Sequence, residues 1–284
     1  MDSSILIEKC IEKKIWRAAG KLPLQHIDFP SLIMPAIETF DVAYENFTLK
    51  GDFHPGITST PGTPGASACH ALILHGAGHS SRATASRSGL RPALQARGVA
   101  STSFDCIGHG ETGGLLQYSS LSSRTRQAEA VIAARNVPQP LVIFGSSMGA
   151  YNAIKLTQAH EVAALILIVP GVYEPAAYDV PFGPQFSEII RRDRSWADSD
   201  ACAILSKFTG NLLIIAAEHD AVIPLEIPER LLLSARKARS RRLRVVAGAD
   251  HQHLFPLLSE ERPDEFDELM DVIVDCARGS SPRP

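Results

Sequence analysis

The alternation of apolar and polar positions begins with a helical repeat. Ile7, Ile11, Ile15 and Ala18 recur at the spacing of one helix face, with Glu8, Lys9, Glu12, Lys13 and Lys14 on the others. An amphipathic helix over 5–19 is expected, free to lie on the body, cover a site or pair subunits. Pro23, Pro30 and Pro35 then break the pattern, and 44–53 has strand composition before a turn-rich stretch over 55–65. From there apolar runs and helical stretches alternate. Strands are predicted over 70–74, 100–104, 141–144, 164–169, 212–216 and 243–246, and helices over 89–97, 123–135, 150–159, 226–235 and 264–276. Short apolar strands separated by helices imply an α/β fold with a mainly parallel central sheet flanked by helices on both faces.

The alternation stops after Pro170, where Tyr173, Tyr178, Phe182, Phe186, Ile189, Ile190 and Trp196 are interspersed with prolines and charges. The interruption reads as a small cap or lid inserted after the sixth strand. The expected division is a helical extension over 1–41, a core made of 42–171 and 208–284, and the cap over 172–207.

Composition adds exclusions. Hydrophobic residues make up 45% of the 284, charged residues 21%, and the formal net charge is −3, so nothing global points to nucleic acid. The start Met1-Asp2-Ser3-Ser4 lacks the features of a secretory signal, and no stretch has the length of a membrane span, which leads to the expectation of a cytoplasmic protein. Five cysteines (Cys10, Cys69, Cys106, Cys202, Cys276) are scattered, odd in number and without CxxC or Cys/His ligand spacing. They are read as reduced, with no disulfide framework and no zinc site. The cluster Arg236, Lys237, Arg239, Arg241, Arg242 and Arg244 reads as solvated surface between a helix and a strand.

Chemistry enters at Gly145-Ser146-Ser147-Met148-Gly149, a G-x-S-x-G pentapeptide between an apolar strand and a helix. A serine at the tip of that turn takes a strained backbone, and there is no room for side chains two positions before and after it. Gly145 and Gly149 give that room to Ser147, whereas Ser146 is not flanked in this way and reads as a packing residue.

On these residues the chain resembles the α/β-hydrolase superfamily over roughly 42–278. The resemblance implies Ser147 as nucleophile, followed in chain order by an acid and a histidine. The acid is expected just beyond a late strand, where Asp220 stands, with Glu218 as runner-up. The base is expected after the final strand and a glycine-containing turn, where His251 stands, with His253 as competitor. The segment His75-Gly76-Ala77-Gly78 is similar to the family's HG turn, and implies an oxyanion hole from the backbone amides of Ala77 and Met148. Under that reading His75 is structural and His79 borders the substrate pocket. Asp105-Cys106-Ile107-Gly108-His109-Gly110 resembles the family's D-x-x-G-H-G turn and supports the fold.

The expected activity is hydrolysis of a small or medium apolar ester or thioester through an acyl-enzyme, without a cofactor. No G-x-G-x-x-G follows the first strand and opens a helix, so no nicotinamide is expected. The alternatives are carbon–carbon bond hydrolysis on the same machinery and a receptor-like binder of a small hydrophobic ligand. The partner expected is a small-molecule substrate, and the N-terminal helix offers a contact for a homo-oligomer.

Overall fold

A computed structural model describes residues 35–57 and 69–280. The helix expected over 5–19, and with it the subunit contact, lies outside the described residues.

The first elements are two strands where one was expected. Strands β1 (Glu38–Tyr44) and β2 (Phe47–His54) form an antiparallel hairpin, turned at Glu45 and Asn46, with Glu45 at φ 50°. The segment 44–53 has strand composition throughout, and a turn without glycine or proline carries no punctuation to divide it. The other strands are β3 (His70–Leu74), β4 (Ala100–Phe104), β5 (Leu141–Ser146), β6 (Val162–Ile168), β7 (Asn211–Ala217) and β8 (Ser240–Val246). They form one eight-stranded sheet in the order β1-β2-β4-β3-β5-β6-β7-β8. β2 pairs antiparallel with β4, and every pairing from β4 to β8 is parallel.

Successive side chains on a strand face opposite ways, so each central strand feeds two cores. Leu72, Leu74, Leu141, Ile143, Leu165, Leu167, Leu212 and Ile214 point to one face. Helices α3 (Leu121–Ala134), α4 (Met148–Leu156) and α7 (Glu226–Ser234) cover it with Val131, Ile154 and Leu231 among others. Ile73, Phe144, Ile166, Leu213 and Ile215 point to the other, under α2 (Leu90–Ala96) and α8 (Pro263–Arg278), which supply Leu94, Leu269 and Ile273. Between β6 and β7 lie two short helices, α5 (Pro184–Ile190) and α6 (Ala201–Leu205), and an aromatic group in which Tyr173 and Phe182 both pack on Phe186.

Two details differ from expectation. Helix α1 (Arg82–Arg87) arises from a segment with no apolar period; tertiary ion pairs anchor it instead. Arg82 reaches Asp52 at 3.1 Å and Glu111 at 2.7 Å, and also bonds Asp105, while the fully buried Arg91 bonds Asp52 from α2. Removing one member of such a group leaves an uncompensated buried charge. Asp52→Asn is therefore expected to lower the unfolding free energy by about 3–5 kcal/mol, read from urea denaturation; a change below about 1 kcal/mol contradicts this account. Second, β8 begins three residues before the predicted start at 243, because pairing with β7 draws Ser240, Arg241 and Arg242 into the sheet. Arg241 and Arg242 thus join Arg244 on an edge strand rather than lying in the loop before it.

Among the described residues no helix is long and apolar enough to cross a membrane, and no group of three or more His, Cys, Asp or Glu could hold a metal ion.

Candidate active site

Ser147 stands at the turn from β5 into α4 with φ 51° and ψ −117°, a conformation that costs a non-glycine residue about 1–3 kcal/mol. The surroundings enforce it. A Cβ on Gly145 would lie 2.6 Å from the Gly149 oxygen, and one on Gly149 would lie 2.5 Å from the Leu74 oxygen. The turn is also tied to β6: the Ser147 amide donates to the Ile168 carbonyl (2.9 Å), and the Ser147 carbonyl accepts from Gly171 (3.1 Å).

Three distant segments meet there. Ser147 Oγ is 3.0 Å from His251 Nε2, and His251 Nδ1 is 2.7 Å from Asp220 Oδ2. The other Asp220 oxygen accepts from the Val222 and Ile223 amides, both at 2.8 Å. These amides turn the loop after β7 so that the carboxylate faces the imidazole. A carboxylate can only accept, so His251 carries its proton on Nδ1 and leaves Nε2 to accept from Ser147. Burial pushes the Asp220 pKa up, but the hydrogen bond from His251 and the Ile223 and Val222 amides outweigh it and hold the pKa below its ordinary value.

The runners-up lie elsewhere. His253 has a side chain 69% exposed and pairs with Asp250, whose carboxyl this contact and two amides hold down at about 2. Glu218 accepts from the Gly248 amide at 2.8 Å, bracing the turn that precedes His251. His79 is exposed.

The turn after β3 passes beside the serine: a Cβ on Gly76 would lie 3.2 Å from Ser147 Cβ. Met148 opens α4, so its amide has no carbonyl to bond one turn back. Among the described residues, the Ala77 amide likewise has no protein acceptor. His75 is buried, accepts from the Cys106 amide on Nε2 (3.0 Å) and so donates from Nδ1 to the Gly76 carbonyl (2.7 Å). Burial and the neighbouring Arg124 hold its pKa well below the usual histidine value, so it stays neutral.

The sequence reading passed over Arg124, which lies 2% exposed beneath this turn and bonds the His75 and Gly76 carbonyls and the Met148 sulfur. Its signal was a charge at a core position of α3, in line with Leu121, Ala128 and Val131. A cleft of about 220 Å³ lined by Thr157, His160, Lys207 and Gly210 opens at the start of β6 and β7, the end of the strands opposite Ser147.

Known proteins share the fold that carries this site. The model of the alpha/beta hydrolase family matches residues 71–208. Uncharacterised proteins from two strains of Mycobacterium tuberculosis are 28% identical over 196 residues, 67% of this chain and 66% of theirs, so the alignment spans just under two thirds of their length. The esterase of Pyrococcus furiosus superposes with a TM-score of 0.61 at 16% identity, over 89% of this chain and 97% of that one. Est1E from Butyrivibrio proteoclasticus, solved with ferulic acid bound, gives 0.58 at 17% identity, over 83% and 99%. The chain has the α/β-hydrolase fold, and the family model matches just under half of it.

Proposed function

We propose that the protein is a serine hydrolase that cleaves a small or medium, apolar carboxylic ester or thioester through an acyl-enzyme. The observation that carries this reading is the unbroken hydrogen-bonded chain from Ser147 through His251 to Asp220. A serine hydroxyl is a poor nucleophile until an imidazole takes its proton, and the imidazolium needs a fixed carboxylate beside it. Ser147 Oγ bonds to the substrate's carbonyl carbon as its proton passes to His251 Nε2. The carbonyl electron pair moves onto oxygen, where the Ala77 and Met148 amides receive it. Collapse expels the alcohol or thiol, which takes the proton from His251. Water then repeats the sequence and releases the acid, with no cofactor consumed.

The residues 172–207 act as the cap in this reading. Tyr173 packs against Tyr151 of α4, and Asp200 is bonded by Tyr151 and Lys155, so the segment is fastened to the helix that follows Ser147, and its aromatic and aliphatic composition favours an apolar acyl group. The test is labelling by a fluorophosphonate. One equivalent is expected on Ser147 in the native protein and almost none in His251→Ala. Folded protein that takes up no label, together with no hydrolysis of short-chain nitrophenyl esters, rules out the enzyme and leaves a binding role.

A further inference from the structure

Arg124 is a buried cation with no ion-pair partner among the described residues. Its contacts are instead two carbonyl oxygens and a thioether, at 2.5 Å (His75), 3.1 Å (Gly76) and 3.2 Å (Met148), with the His75 ring at 3.4 Å and the Cys106 thiol beside it, none of them an anionic carboxylate. Its Nε has no hydrogen-bond partner among the described residues. A guanidinium stays charged in any protein, and burying one without a carboxylate is costly. The other buried arginine on this scale, Arg91, has its aspartate. The difference is location, since Arg124 sits under the turn that passes Ser147.

In a trans peptide the C=O and N–H point in opposite directions. The Gly76 carbonyl belongs to the peptide unit whose N–H is that of Ala77. It accepts twice, from Arg124 and from the His75 Nδ1–H, so this unit is fixed with its N–H turned away from the guanidinium. Both donors draw electron density toward the carbonyl and make the Ala77 N–H a stronger donor. Arg124 also touches the side chain of Met148, the residue that carries the other amide.

We infer that Arg124 is a positioning residue of the oxyanion hole: it orients and polarises the Gly76–Ala77 peptide, and its unpaired charge is balanced when negative charge develops on the substrate oxygen. The inference rests on the proposed acyl-enzyme reading. It gives the buried charge a counter-ion that exists only during the reaction, which favours the transition state over the bound substrate.

The experiment compares native protein with Arg124→Met and Arg124→Lys, each first checked for a cooperative thermal transition. Three readings are taken: kcat and KM for a nitrophenyl butyrate, the inhibition constant of an alkyl boronate that forms a tetrahedral adduct on serine, and that of the neutral alcohol of the same chain. For R124M, kcat is expected to fall about 30-fold or more, somewhat less than the loss of a direct oxyanion donor, with KM within about threefold. Boronate binding should weaken by a similar factor while alcohol binding holds. R124K keeps the charge but lacks the fork that spans two carbonyls, so an intermediate loss is expected. Native protein that neither binds the boronate nor hydrolyses the ester defeats the acyl-enzyme reading itself. Native activity with R124M within about threefold of it, or with boronate and alcohol weakening in parallel, overturns the role of Arg124 alone. Failure of both variants to fold assigns the residue to the fold and overturns it too.

Discussion

Ser147→Ala is expected to lower kcat for a nitrophenyl ester by about 10⁴-fold or more while the protein stays folded. The loss is large because the other parts act only through the nucleophile: His251 has no proton to take and Asp220 nothing to orient. Stability should change little. Alanine inherits the same φ of 51°, and the hydroxyl contributes one hydrogen bond to a partly exposed imidazole, about 1 kcal/mol. A variant that retains more than about 1% of native turnover removes Ser147 as the nucleophile.

Asp220→Asn carries the second largest effect. An amide in that place can turn its NH₂ to His251 Nδ1, which moves the imidazole proton to Nε2 and leaves Ser147 without an acceptor. A fall in kcat of about 10³- to 10⁴-fold is expected, with KM little changed. The same substitution has a signature in acid. Because the folded pKa of Asp220 is depressed, its contribution to stability is fully present above the unfolded value and is lost as pH falls through the folded one. Below about pH 4, the ordinary carboxylate range, native stability should fall more steeply than that of the variant. Parallel acid limbs, or turnover within about tenfold of native, count against the assignment.

The parts legible in the sequence are those written in local signals. The G-x-S-x-G turn requires small residues at fixed offsets, and a Cβ at Gly145 or Gly149 would strike backbone, so the motif states its own geometry. The central strands and most flanking helices announced themselves by length and period. Asp220 and His251 follow from the family resemblance, applied to the loops after two late strands, and the fold brings them into one hydrogen-bonded chain with Ser147 although His251 is 104 residues away in the sequence. What was not legible depends on partners remote in sequence. Helix α1 has no apolar period because ion pairs to β2 and the loop after β4 hold it. The hairpin β1–β2 turns on Glu45, a residue with no turn preference of its own. Arg124 carries no motif of its own, and its place is set by α3 lying against the turn after β3.

β8 closes the sheet with Arg241, Arg242 and Arg244 on a strand that has β7 on one side and, among the described residues, no strand on the other. An unpaired edge is a template on which a second molecule can continue the ladder. Two such edges meeting would bring these guanidinium groups against each other, and the repulsion opposes the contact before hydrogen bonds form. Charges at these positions oppose edge-to-edge pairing of that kind, an effect that grows with protein concentration.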